Sequence, residues 1–290
     1  MGWNASLELN YTVRPVVSLL GGNKTVAHFQ HQGPLRILQS LYPEGEAICH
    51  NVLVHPPGGL TGGDTIDLRL RVATGAHGLV TTPGATRFYR TEGESAVQRT
   101  AITLAAHARM EWLPLETIAF SGCMAENRLT LSLAPGAEMI GWDITALGLP
   151  AANKPFKAGV FCQHLELPGV WLERASIQAS DKLLLDSPTG LAGQRCFATL
   201  FFVCGSPPGK ARRQEVLDIA RSVMDAPALR HLTLTGQVIA GATSPNAQVV
   251  LVRVLAPVVE PAMALLRAVW QQWRSHVWGV GGAPPRIWST

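Results

Sequence analysis

The chain has 290 residues, of which 47% are hydrophobic and only 15% charged, with 24 Lys and Arg against 20 Asp and Glu. This composition excludes a disordered chain and supplies enough apolar surface for a substantial core. The formal charge of +4, with no basic run, argues against a nucleic-acid partner.

Read from the N-terminus, Met1–Tyr11 carries Asn4, Glu8 and Asn10 in place of a basic and apolar leader, so no signal peptide is expected. The Asn-x-Ser/Thr triplets at Asn4, Asn10 and Asn23 are then chance. The dominant period along the chain is two. Ile66, Leu68, Leu70 and Val72 alternate with Thr65, Asp67, Arg69 and Arg71, and Leu129, Leu131 and Leu133 alternate with Arg128, Thr130 and Ser132. Such alternation marks strands with one face in a core and one in water. Further strands are predicted at Ser6–Asn10, Thr25–Gln30, Leu35–Leu41, Ile48–Val54, Gly78–Thr82, Val97–Leu104, Arg109–Leu113 and Glu138–Ile144. The series continues at Gln163–Glu166, Val170–Gln178, Phe197–Val203, Leu232–Ala240 and Val249–Leu255, with Gly, Pro and Asn in the breaks. Gly75-Ala76, His107-Ala108 and Gly136-Ala137 each open a turn into a strand, at offsets of 32 and 29 residues. That spacing fits stacked β-solenoid layers, and it also fits ordinary hairpin punctuation.

Two segments read as helices. In Gly209–Met224, Val216, Leu217, Ile219, Ala220, Val223 and Met224 share one arc. In Pro257–His276, Leu266, Val269, Trp270, Trp273 and Val277 form an apolar stripe. No linker separates these helices from the strands, so residues 1–290 are expected to form one domain. The expected fold class is mainly β: strand-rich, β-helix-like stacked layers with two α-helices in the C-terminal third. The most apolar stretches, Phe197–Cys204 and Val249–Val259, fall well short of the roughly 20 residues a membrane span needs. Five dispersed cysteines, at 49, 123, 162, 196 and 204, fit reduced thiols and a cytoplasmic location.

Catalytic motifs are absent. The sequence contains no Gly-x-Gly-x-x-Gly, His-Glu-x-x-His, Gly-x-Ser-x-Gly or Cys-x-x-Cys, and Gly21-Gly22-Asn23-Lys24-Thr25 lacks the glycine spacing of a phosphate loop. Cys49 and His50 are consecutive in a strand and point to opposite faces, so with His55 they read as a packed thiol and surface imidazoles rather than a metal site. Asp64 follows Gly62-Gly63 and suits a turn. Glu111 and Asp143 neighbour Trp112 and Trp142 in segments that read as buried, so each needs an Arg partner or a polar cavity.

Several unusual strings follow one another in order. They are Pro56-Pro57-Gly58-Gly59-Leu60-Thr61-Gly62-Gly63-Asp64, Thr81-Thr82-Pro83-Gly84-Ala85-Thr86-Arg87-Phe88-Tyr89-Arg90 and Glu111-Trp112-Leu113-Pro114-Leu115-Glu116-Thr117-Ile118-Ala119-Phe120, then Ala146-Leu147-Gly148 with Pro150, and Asp186. As chemistry these are sharp turns and an amphipathic, interface-type cluster. As a series, over roughly residues 26–200, they resemble the UreD (UreH) family of urease accessory proteins. Leu115, Leu149 and Asn153-Lys154 depart from that pattern, which puts a polar role at those positions in doubt.

The resemblance implies a non-enzymatic scaffold with a β-helix-like body. Its implied partners are the urease apoprotein, UreF and, through UreF, the GTPase UreG, in a hetero-oligomer. No tightly bound cofactor is implied; nickel is cargo in transit. Asp64, Asp143 and Glu173 are the candidate residues of a transient nickel passage, the alternative being ion pairs with Arg87, Arg90, Arg128 or Arg174. Arg87, Phe88, Tyr89, Arg90, Trp270, Trp273 and Trp278 are the candidate partner-binding residues, with core packing the alternative for the tryptophans. Two other readings stand beside this one: an assembly scaffold with no metal route, and a carbohydrate-acting β-solenoid enzyme using Asp64, Glu111 and Asp143.

Overall fold

Period-two segments build two facing sheets. The computed structural model describes residues 2–16, 22–227, 229 and 238–289. The first sheet holds β1 (Asn4–Pro15), β2 (Asn23–Gln32), β5 (Thr65–Val72), β8 (Ala96–Leu104), β11 (Cys123–Leu133), β14 (Gly159–Leu167) and β15 (Trp171–Gln178), in the order β15-β14-β11-β8-β5-β1-β2. The second runs β17-β18-β16-β12-β9-β6-β4-β3, from β3 (Arg36–Leu41), β4 (Ile48–Val54), β6 (His77–Thr81), β9 (Arg109–Leu113), β12 (Glu138–Leu149), β16 (Cys196–Cys204), β17 (Ile239–Asn246) and β18 (Val249–Ala256). Three short strands, β7 (Thr86–Phe88), β10 (Thr117–Ala119) and β13 (Lys154–Pro155), join its margin.

The chain passes from one sheet to the other, and successive passes pair in parallel: β5 with β8, β8 with β11 and β11 with β14 on one side, β4 with β6, β6 with β9 and β9 with β12 on the other. This is a β-helix-like stack, as expected. Its coil is the repeat read in the sequence, because His77 aligns with Arg109 and Arg109 with Glu138, one residue beyond Ala76, Ala108 and Ala137. Each coil turns through a left-handed residue: Gly75 at φ 71°, His107 at 58° and Gly136 at 78°. Glycine adopts that conformation without steric cost, and histidine is among the few other residues that tolerate it.

Burial follows the pattern. In β5, Ile66, Leu68, Leu70 and Val72 are buried against the opposite sheet while Arg69 and Arg71 face solvent. β12 is buried nearly throughout, because Met139 and Leu147 face the first sheet while Ile140, Trp142 and Ile144 face the helices.

Among the described residues there are three α-helices: α1 (Lys182–Asp186), α2 (Lys210–Asp225) and α3 (Val259–Trp273). α2 and α3 are the two expected; α1 is additional, and its N-cap Asp181 accepts from the Leu184 amide at 2.9 Å. The strand expected at Leu232–Ala240 has positions 232–237 outside the described residues, and β17 begins instead at Ile239. No helix among the described residues is long and apolar enough to cross a membrane.

α2 and α3 form a second core on the outer face of the second sheet, with Phe202, Val250 and Val252 below Val216, Ala220, Val269, Trp270 and Trp273. This corrects the partner-binding expectation for three tryptophans. Trp270 and Trp273 are 0% exposed and Trp278 is 6% exposed, so none has a surface to offer. Each indole N–H is satisfied internally: Trp270 donates to Glu111 at 2.6 Å, Trp273 to the Val216 carbonyl at 2.8 Å and Trp278 to Glu138 at 2.7 Å.

One buried charge network ties the helices to the coils. Glu111 on β9 is fully buried, bonds His77 Nε2 at 2.9 Å and lies 2.9 Å from Arg274 Nε. Arg274, also fully buried, reaches both oxygens of Glu44 at 2.8 and 2.9 Å and donates to the Gly281 carbonyl. Removing one member of such a group strands the others without compensation. Arg274→Met is expected to destabilise the chain by about 3–5 kcal/mol, measured as a fall in thermal or urea midpoint; a midpoint within error of wild type would show that the network carries no such load.

Candidate functional site

Inside the β-helix most inward positions are apolar, and one layer carries polar side chains on several adjacent strands. Asn127 on β11 has Gln98 on β8 and Gln163 on β14 as its register neighbours, all on the inward face. A row of three amides therefore crosses the first sheet. Facing it from β12 is Asp143, 6% exposed. Its two oxygens accept from Asn127 Nδ2 at 2.7 Å, Gln163 Nε2 at 2.6 Å and the Thr145 hydroxyl at 3.3 Å. Gln98 extends the row by donating to Asn127 Oδ1 at 3.4 Å.

The layer continues across the second sheet. Thr199 aligns with Asp143, and Arg253 with Thr199. The Arg253 guanidinium meets Glu173 of β15 at 2.5 Å, closing the margin between the sheets. The second Glu173 oxygen is buried and has no hydrogen-bond partner among the described residues. At the other end, a cleft of about 240 Å³ opens between the sheets, where Ile66, Leu68 and Gln98 face Leu53 and Val54.

Every close partner of Asp143 is neutral. Burial pushes its carboxyl up from 3.8 to about 6, against the lowering effect of the Gln163, Thr145 and Asn127 hydrogen bonds, and nearby Glu173 raises it further. Glu111 is as deeply buried and goes the other way: burial would raise it, but His77, Arg274 and Trp270 hold it below the usual carboxylate value. Asp143 is therefore a buried carboxyl that no cation among the described residues contacts directly.

Gln163 on β14 pairs with Ala175 on β15, and Leu165 with Glu173, so Glu173 lies one inward position along from the amide row and is tied to the Asp143 layer through Arg253. Asp64 does not join them directly. It stands two residues before Ile66, and its oxygens accept from the Thr61 amide at 2.7 Å, the Thr61 hydroxyl at 3.2 Å and the Trp3 amide at 3.1 Å. The arginines proposed as their partners are engaged elsewhere or unpaired: Arg90 bonds Glu92, Arg128 bonds Glu126, and neither Arg87 nor Arg174 forms an ion pair among the described residues. Of the surface cluster, Arg87 and Arg90 are exposed and Tyr89 is partly so, but Phe88 is 0% exposed, its ring 6.0 Å from that of Phe161. Phe88 therefore belongs to the core rather than to a partner surface.

Among the described residues, no three His, Cys, Asp or Glu side chains converge to hold a metal ion. The amide row escaped the sequence reading. Its signal was a polar residue in the apolar phase of a strand: Asn127 is in step with Leu129 and Leu131, and Gln163 with Leu165.

A family model described as the UreD urease accessory protein matches residues 4–289. A protein of a Polaromonas species named urease accessory protein UreD is 66% identical over 289 residues, covering the whole of both chains. Proteins of the same name from Variovorax paradoxus and Methylibium petroleiphilum are 60% identical over 290 residues and 46% over 302, again over both full lengths.

The raised Asp143 carboxyl gives a stability signature. Its folded-state value lies above the unfolded one, so the native state holds the extra proton and loses stability as pH rises from about 4 to about 6. The cost of ionising it in place is about 3 kcal/mol. Asp143→Asn is expected to remove that slope, so the stability difference between variant and wild type should shift in the variant's favour across this window. Denaturation midpoints at pH 4 and pH 7 measure it, and parallel pH profiles for the two proteins would refute it.

Proposed function

This chain belongs to the UreD family of urease accessory proteins, and we propose that it acts as a non-catalytic scaffold that passes nickel through its interior to the urease apoprotein. In this reading it binds urease and UreF, and UreG joins through UreF. One observation carries the metal route: a mostly apolar β-helix interior holds a row of amides around the Asp143 carboxylate, whose hydrogen-bond partners are all neutral.

The physical argument is one of affinity. A route must bind its cargo weakly, since a tightly held ion is not passed on. Carboxylate, amide and hydroxyl oxygens hold nickel less firmly than thiolate and imidazole, which are softer ligands. A cation entering beside Asp143 would supply the positive charge that the layer lacks. Glu173, with one oxygen on Arg253 and one without a hydrogen-bond partner among the described residues, stands beside that layer at the margin of the sheets. Asp64 stands at its flank, three hydrogen bonds holding it in a turn.

Reconstitution separates a metal route from assembly alone. Omitting this protein from a mixture of urease apoprotein, UreF, UreG, nickel and GTP is expected to abolish activation, and adding it back to restore it. Asp143→Ala and Glu173→Ala are expected to keep UreF binding while the nickel content of urease falls severalfold. Asp64→Ala, which also removes turn hydrogen bonds, is expected to lower nickel transfer with a drop in melting temperature. If all three variants either unfold or load urease normally, the route through these residues is wrong and the scaffold reading without a metal path stands.

GTP turnover in the assembly is assigned to UreG. The purified chain, whose sequence holds no phosphate-cradling loop, is expected to hydrolyse no GTP above a buffer blank. Turnover that follows this chain through purification would overturn the assignment.

A further inference from the structure

The β-helix has a second polar feature, away from the Asp143 layer. Where the coil turns at Gly75, His107 and Gly136 stack, a cavity of about 680 Å³ opens, walled on its far side by Gly279–Gly281. Its charged lining comprises Glu44, Glu138, Arg109 and Arg212, with His77 and His107.

Counting donors against acceptors shows what the cavity lacks. Both carboxylates are taken. Glu138 lies 2.6 Å from Arg212 through one oxygen and accepts from Arg212 at 3.1 Å and Trp278 at 2.7 Å through the other. Glu44 gives both oxygens to Arg274 and one also to His50 at 2.8 Å. Arg109 is left over. It forms no ion pair among the described residues; its guanidinium sits 5.3 Å from the centre of the Trp278 ring, and its best polar contact is the Trp278 carbonyl at 3.5 Å. It is half-buried, and burial lowers its proton affinity. A guanidinium carries five N–H donors and no acceptor, so most of its hydrogen-bonding capacity has no protein partner.

We propose that this cavity is an oxyanion site, in which Arg109 holds the carboxylate or phosphate group of a ligand larger than that group. The fork of a guanidinium matches either group bidentately. The volume lies in the range of small-molecule pockets, well beyond what a lone anion fills. The rim permits close approach, because a side-chain carbon placed at Gly75 or Gly279 would meet no atom within 4 Å. His107 stands exposed on the middle turn and offers a second donor at the mouth.

Two sources present the same chemistry: a dissolved anionic metabolite, or an acidic segment of a docking protein. The probes are inorganic phosphate and a synthetic hexapeptide of Asp and Glu. Each is titrated calorimetrically into the full chain, alone or co-purified with UreF, at constant ionic strength. Saturable one-to-one binding of either probe is expected, weakened at least tenfold by Arg109→Met and less by Arg109→Lys, which keeps the charge and loses the fork. Phosphate binding alone assigns a dissolved anion; peptide binding alone, or peptide that displaces phosphate, assigns a protein segment. Should Arg109→Met fail to fold, His107→Asp carries the test. It sets a carboxylate at the mouth of the cavity on an exposed turn, where Asp tolerates a left-handed backbone, and it is also expected to weaken binding tenfold. Absence of binding by both probes, or equal binding by wild type and the folded variants, overturns the proposal.

Discussion

The buried carboxylate of Glu111 is the junction on which the architecture depends. The apolar second core holds α2 and α3 against the flank of the stack, and the Glu111 cluster adds directional bonds to that non-directional contact. Glu111 sits in the middle coil and reaches outward. It takes the His77 imidazole from the coil beside it and the Trp270 indole from α3, and it faces Arg274 beyond the end of that helix. Arg274 carries the connection on to Glu44, in the loop before β4. Four segments distant in sequence thus meet at one ionic cluster, sealed beneath the tryptophans of the second core. A cluster so deeply buried is costly to assemble and ruinous to leave incomplete, which makes it a device for specifying one arrangement of helix on sheet.

Glu111 and Asp143 are both buried acids, 32 residues apart on adjacent parallel strands, and the protein treats them in opposite ways. On the outward face of the sheet, Glu111 is met by a guanidinium and an imidazole and is held ionised. On the inward face, Asp143 is met by two amides and a hydroxyl, so burial wins and the proton is held more tightly. Hydrogen bonds from neutral donors orient a carboxylate without cancelling its charge. The same carboxyl group is structural in one setting and without a charged partner in the other, and the difference lies in which face of the second sheet it occupies.

The fold was legible because a two-layer β-helix enforces strict alternation, and Ile66 to Val72 display it plainly. The coil length was legible because each turn needs a left-handed residue, which Gly75 and Gly136 supply at once and His107 only by exception. The second core was harder. Trp270 and Trp273 read equally as core or interface, because periodicity shows which residues share a stripe and says nothing about what covers it. Arg274 was hidden for a related reason: a lone arginine at the end of an apolar stripe looks like a helix-terminal charge, and only the fold brings Glu44 to it from 230 positions away. α1 escaped because five residues cannot display a period of 3.6. The amide row was written in the phase of Asn127 and Gln163, and its meaning required knowing that three strands set these side chains in one rank.

That rank also bears on the ends of the proposed route. Asp143 lies mid-sheet, fixed by its partners on β11 and β14, whereas Glu173 lies on the edge strand β15, where it meets the Arg253 guanidinium. A divalent cation moving along the layer would leave amide and carboxylate oxygens and then compete with Arg253 for Glu173. Exchange of one positive partner for another would keep Glu173 compensated, while at Asp143 such an ion would be the only full positive charge among its immediate neighbours. Under the proposed route the ion would therefore be drawn to Asp143, and the Glu173–Arg253 pair would restore neutrality behind it. On that proposal binding would be transient, since the centre supplies one formal charge and the margin its own replacement cation.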